Sequence, residues 1–194
     1  MEPVAMGFRV KSGWACAVLL AGPAAAPKVV DRRKVQLADP EVPGSVQPYH
    51  AALELHAARG AKEAARLVKV VERFAHRSVV ELLQHYRDGG HRIVGIGIVV
   101  GSVVDPATIP NDHIRAHAEE GRLFRVVLED AVRKCGLATT VTVEKQLLAK
   151  ASKALNRPEL RLKEDVTALG RGLGGGWRAE EKAATLAAWM ALRG

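Results

Sequence analysis

Three sets of residues in this 194-residue chain have types and spacings that could do chemistry. The first is acidic: Asp105, Glu144 and the adjacent Glu180 and Glu181. Asp105 lies beyond one β-branched run and Glu144 at the exit of another, and open α/β sheets bind ligands outside the carboxyl ends of their strands. If these carboxylates converge, their oxygens suit Mg²⁺ or Mn²⁺ and the stabilisation of phosphoryl transfer. Glu180 and Glu181 also open a helical stretch, where acids favour the dipole without any chemistry. The second set is His113, His117 and Glu120, spaced four and three apart on one helical face. Two imidazoles one turn apart plus a carboxylate can hold a transition metal. Zinc-enzyme helices place a glutamate between the histidines, whereas Ile114, Arg115 and Ala116 stand there in this chain. An exposed polar helix start is the simpler reading of those three residues.

The third set is basic. Arg59, Lys62, Arg66, Lys69, Arg73 and Arg77 recur every three or four residues. At helical spacing they fall within an arc of about 80°. Such a stripe can track phosphates, and releasing their counterions makes binding salt-dependent. A solvated helix face is the competing reading, with Glu63 diluting the stripe. Net charge is +8, which points to acidic partners, nucleic acid first and an anionic membrane surface second. Two cysteines, Cys16 and Cys135, lie too far apart in sequence for a disulfide framework or a zinc spacing. No apolar run approaches the roughly 20 residues needed to span a bilayer. Arg9 and Lys11 before Trp14–Leu20, with Ala24–Ala26 beyond, mimic a secretory leader. A strand is the preferred reading of that stretch, and the cytoplasm the expected compartment.

The elements that must position these residues are organised around the run Arg92–Gly101. Its apolar residues are continuous, as in a strand covered on both faces, and three glycines in seven residues argue against a helix. Gly95 and Gly97 sit inside the strand rather than in a strand-to-helix turn, so they fit close approach of a neighbouring helix rather than a dinucleotide fingerprint. Earlier, Phe8–Leu20 reads as the first strand, with Phe8, Val10, Trp14, Cys16, Val18 and Leu20 on one face. Val29–Leu37 reads as the second, paired antiparallel. Pro48 opens a helix ending near Gly60, and a longer helix runs from about Ala61 to Arg87, closed by Gly89-Gly90. Its stripe Ala64, Leu67, Val71, Phe74, Ser78 and Leu82 should face the sheet. Asn111 or Asp112 caps a helix from His113 that stops at Gly136. Thr139–Val143 is a short strand, Gln146–Leu155 a helix, and about Ala179–Leu192 the last helix. Residues 156–177, with five glycines in Gly170–Gly176, read as mobile or inserted. The expected fold is a single α/β domain, with a mixed central sheet and helices on both faces.

This order of elements resembles the ribonuclease H-like superfamily, in particular the branch of bacterial Holliday-junction resolvases. The stretch Ala179-Glu180-Glu181-Lys182-Ala183-Ala184-Thr185-Leu186-Ala187 is similar to the acid-led, alanine-rich final helix of those resolvases. The resemblance implies a nucleic-acid partner and, in members that cut, an Asp in the first strand holding two metal ions. Here the centre of that strand reads Val10-Lys11-Ser12-Gly13-Trp14, with no acid between Phe8 and Leu20.

The leading expectation is therefore a basic, cytoplasmic, ribonuclease H-like domain that binds DNA, RNA or a nucleoprotein without the usual two-metal nuclease centre. Its contacts would be Lys11, Lys62, Arg66, Lys69, Arg73 and Arg77. The alternative is a nuclease using Mg²⁺ or Mn²⁺ on a rearranged set, Asp105, Glu144, Glu180 and Glu181. A further alternative is a structural or protein-interaction module that assembles as a homo-oligomer.

Overall fold

The structure is a computed structural model and describes residues 2–193. Its sheet begins with an antiparallel meander: β1 (Glu2–Lys11), β2 (Trp14–Ala21) and β3 (Lys28–Gln36). The expected single strand Phe8–Leu20 is thus a hairpin, reversed at Ser12-Gly13, where Gly13 adopts φ 79°. A two-residue turn pairs Phe8 with Ala17 and Val10 with Ala15, so odd and even positions exchange faces across it. Phe8 and Val10 consequently lie in one core, and Cys16, Val18 and Leu20 in the other. The second expected strand is present as β3, paired with β2.

Two helices follow, as expected, but the break between them comes before Gly60. Helix α1 covers only Pro48–Leu53, and α2 runs Ala57–Asp88. Gly60 lies inside α2 rather than ending a helix, because α1 crosses it closely. A Cβ there would stand 2.5 Å from the carbonyl oxygen of Ala52. The buried row of α2 is Leu67, Val71, Ala75, Val79, Leu82, Leu83 and Tyr86. Ala64, Phe74 and Ser78 are only half-buried, so the inward face is turned from the expected one.

The strand β4 (His91–Val100) lies parallel to β1 on one side and to β5 (Thr139–Val143) on the other, giving the order β3-β2-β1-β4-β5. Its second half, Ile96–Val100, is buried throughout, as the continuous apolar run requires. Between the two strands, α3 (Asp112–Lys134) is capped by the Asn111 side chain, which accepts from the Ile114 N–H at 2.9 Å. The chain closes with α4 (Glu144–Leu155), α5 (Glu159–Leu169) and α6 (Ala179–Arg193). Within the segment expected to be mobile or inserted, α5 is regular helix, and its Leu162 and Val166 are buried. Pro158 and Gly170 bound this helix, and the glycine-rich residues 170–178 beyond it are non-helical connection to α6.

Helices α2 and α3 cover one face of the sheet, over Val4, Met6, Phe8 and Val10 of β1. Helices α4, α5 and α6 share the opposite core with Val18, Leu20 and Val99. There α6 sits almost on the backbone of β1 and β4. A Cβ on Gly97 would lie 2.5 Å from the Ala187 carbonyl oxygen, and one on Gly7 would overlap that of Ala184. Close approach explains these glycines.

Candidate nucleic-acid interface

Strand alternation decides which β1 side chains emerge beneath α6. Gly7 lies under the helix, and the next two residues of that face are Arg9 and Lys11. Arg9 is only 5% exposed. Its Nε donates to Glu144 Oε1 at 3.1 Å and its Nη2 to Oε2 at 2.6 Å, while Nη1 donates to the Val10 carbonyl. Glu144 is placed by the end of β5, where it opens α4. This two-pronged pair spans from β1 to the far side of β4. Arg9 also lines a cleft of about 190 Å³ at the ends of β1 and β4, with Lys11, Ser12, Gly101, Ser102 and Gly121.

Lys11 Nζ lies 3.3 Å from Glu180 Oε1 in the first turn of α6. The backbone N–H of Glu180 itself, and then Lys11, hold its carboxyl below the usual carboxylate range. Glu181 accepts from the backbone N–H of Arg178 at 2.9 Å, closing the start of α6. Asp105 accepts from the Ala107 N–H at 3.1 Å and caps the short turn Pro106–Thr108. Each expected metal-binding acid therefore has another partner. Beside them, burial pushes the Cys16 thiol up to about 12, with Glu181 and Glu180 adding to the rise, which favours the protonated thiol at neutral pH.

Among the described residues, the one group of three or more metal-type side chains with ligand atoms all within 4.8 Å is His50, His113 and His117. It keeps the two histidines singled out by spacing and adds a third from α1. Glu120, the carboxylate of the expected set, points instead to His50 Nδ1 at 2.8 Å.

The basic stripe lies along the outward side of α2. Lys62, Arg66, Lys69, Arg73 and Arg77 are all exposed. Arg66 is paired with Glu63 at 2.6 Å, Arg73 donates to the Lys69 carbonyl at 3.3 Å, and Arg77 lies 5.0 Å from the Phe74 ring. Lys11 belongs to the opposite layer, against α6, so stripe and Lys11 are separate surfaces.

Sequence reasoning passed over Arg9 and His50. A signal existed for Arg9, since it shares a face with Lys11 at period two. None existed for His50, whose partner Glu120 is 70 residues away.

No family model and no curated protein matches this sequence. Solved structures do. The Thermus thermophilus RuvC structure matches with a TM-score of 0.53 at 15% identity, over 96% of this chain and 92% of that one. T. thermophilus RuvC in complex with a Holliday junction substrate matches with a TM-score of 0.53 at 14% identity, over 97% and 92%. Both likenesses extend over nearly the whole of each chain. With a three-stranded meander, two parallel strands beside it and helices on both faces, this chain has the ribonuclease H-like α/β fold, in the arrangement it shares with RuvC.

Proposed function

We propose that this chain is a nucleic-acid-binding module of ribonuclease H-like fold that works without the two-metal nuclease centre. The observation that carries this reading is the Arg9–Glu144 pair at the strand ends. A nearly buried guanidinium engages both oxygens of the carboxylate, and its fixed charge opposes a divalent cation placed beside it. Lys11, more exposed, places a second positive charge 3.3 Å from Glu180. The exposed α2 stripe, with a net charge of +8 on the chain, supports phosphate contact. The RuvC complex with a Holliday junction makes branched DNA one of the probes to include.

Gel shifts with single-stranded, duplex and branched DNA and RNA, each run in EDTA and in Mn²⁺, test both halves together. The expected result is a shift of equal strength in EDTA and Mn²⁺, without cleavage. If about four phosphates are contacted, log affinity falls with log salt at a slope of about −3.6. Replacing Arg66, Lys69 and Arg73 with Glu abolishes the shift. Cleavage dependent on Mn²⁺ would overturn the non-catalytic half and turn attention to Glu144 and Glu180. Absence of any shift at low salt would remove nucleic acid and leave a protein-interaction module.

A further inference from the structure

We infer that His50, His113 and His117 bind a transition-metal dication of the Zn²⁺ class, with Glu120 as the positioning residue and one coordination position open at the surface. This site is separate from the strand-end cleft and from the α2 stripe. It joins α1 to the first two turns of α3.

The argument starts from Glu120. Its side chain is completely buried, and its Oε1 accepts from His50 Nδ1 at 2.8 Å and from the His50 backbone N–H at 3.2 Å. Its Oε2 has no hydrogen-bond partner among the described residues, and neither has His50 Nε2, which is also buried. A buried carboxylate is costly unless a compensating charge stands near it. With Nδ1–H given to the carboxylate, Nε2 becomes the lone-pair nitrogen and the ring is fixed in direction. A carboxylate behind a histidine is the outer support that metal-bound imidazoles commonly have.

Beside the His50 ring lie two more imidazoles. The His50 ring centroid lies 4.6 Å from that of His113 and 4.2 Å from that of His117, and the latter two are 4.7 Å apart. Three rings this close can each turn one ring nitrogen toward a single shared cation. One nitrogen from each lies within 4.8 Å of the others. Tetrahedral zinc with bonds of about 2.0–2.1 Å needs nitrogens about 3.3–3.4 Å apart. His113 and His117 are exposed, so modest side-chain rotation closes that gap without moving the core.

Arg115, the cation inside the motif, is turned aside. It donates to the Ile109 carbonyl at 2.9 Å and pairs with Asp112. Across a small cavity from His117 lie Arg122 and Arg125, and Arg125 is engaged by Glu129 at 3.4 Å. Donor type fixes the metal class. Three imidazoles suit Zn²⁺, Co²⁺ or Ni²⁺ and not Mg²⁺ or Ca²⁺, which require oxygen ligands. Three protein ligands leave a fourth position for water or an anionic oxygen. Helix α1 is six residues long and has no side-chain N-cap, so a shared metal would pin it to α3.

Untagged, chelator-stripped full-length protein is titrated with Co²⁺, followed by the visible d–d bands of tetrahedral cobalt, and with Zn²⁺ by calorimetry. One equivalent is expected to bind, with Mg²⁺ giving no signal. Glu120→Gln keeps the side-chain shape and should weaken binding about 10- to 100-fold. Simultaneous His113→Ala and His117→Ala, both at exposed positions, should weaken it further while leaving the circular dichroism unchanged. Lack of a saturable cobalt signal at one equivalent overturns the site, as does unaltered affinity in the double variant. Unaltered affinity in Glu120→Gln overturns the positioning role. Neither readout depends on nucleic-acid binding, so this inference and the proposed function fail separately.

Discussion

Asp31 fastens the edge strand β3 to α2. Its Oδ2 accepts from the Tyr86 hydroxyl at 2.8 Å, Arg33 pairs with the same oxygen, and Oδ1 accepts from the Arg32 N–H at 2.7 Å. Burial alone would raise this carboxyl's pKa. The donors Tyr86 and Arg33 outweigh it, and the carboxyl titrates below its ordinary range. Burial, with Asp31 adding, raises the Tyr86 phenol, so it remains a donor at neutral pH. A carboxyl whose folded pKa is depressed contributes stability above its unfolded pKa, about 3.9, and loses it as pH falls through the folded value. Tyr86→Phe should therefore cost about 1 kcal/mol at pH 7, a modest figure because the pair is partly solvated. That difference should shrink below about pH 4. Urea unfolding of both proteins across that range checks it, and a constant difference would show that Asp31 is not the partner that matters.

At the scale of elements, the decisive contact is α6 lying on glycines of β1 and β4. Ala184, Ala187 and Ala188 present small side chains and bare carbonyls to Gly7 and Gly97, so helix and sheet approach more closely than ordinary side chains allow. Gly97→Ala should cost about 1–3 kcal/mol through overpacking against the Ala187 carbonyl, and Gly7→Ala more. Gly101→Ala is the control: its Cβ would meet only Arg9 Nη2, at 3.8 Å, and should leave stability nearly unchanged. Denaturation midpoints measure all three. Equal effects at Gly97 and Gly101 would mean that α6 does not depend on this close seat. The same seat sets the register of Glu180 against Lys11, so loosening α6 also disturbs the strand-end cleft.

For the whole molecule, one sheet separates two cores that share its strands. Val4, Met6, Phe8 and Val10 face α2 and α3, while Cys16, Val18 and Leu20 of the adjoining strand face the α6 layer. Neither layer keeps a complete core without the sheet, so both should unfold together. Trp14, Trp177 and Trp189 all belong to the α6 side. Their fluorescence therefore reports that layer, whereas far-UV circular dichroism reports every helix. Coincident thermal or urea transitions by the two probes are expected, and a fluorescence transition separated from the dichroism would show that the layers melt independently. Among the described residues, no helix is long and apolar enough to cross a membrane.

Local chemistry made part of this protein legible in its sequence. The continuous run Ile96–Val100 announced a strand covered on both faces, and the glycines within β4 announced a helix packed against it. Asn111 marked the start of α3, Gly89-Gly90 the end of α2, and helical spacing alone placed the basic stripe on one face. These features depend on residues a few positions apart. Periodicity was blind to the Ser12-Gly13 reversal, because a two-residue turn swaps faces without breaking the alternating pattern. Punctuation misled at Gly60, where the glycine serves helix crossing, and the glycines of Gly170–Gly176 drew attention from the regular helix α5 that precedes them. The sites themselves were decided only by tertiary structure. Arg9 meets Glu144 across 135 residues, and His50 meets Glu120 across 70. Whether a carboxylate faces a cation, a backbone N–H or a metal-ready imidazole depends on which strand ends and helix starts the fold brings together, and no local spacing encodes that.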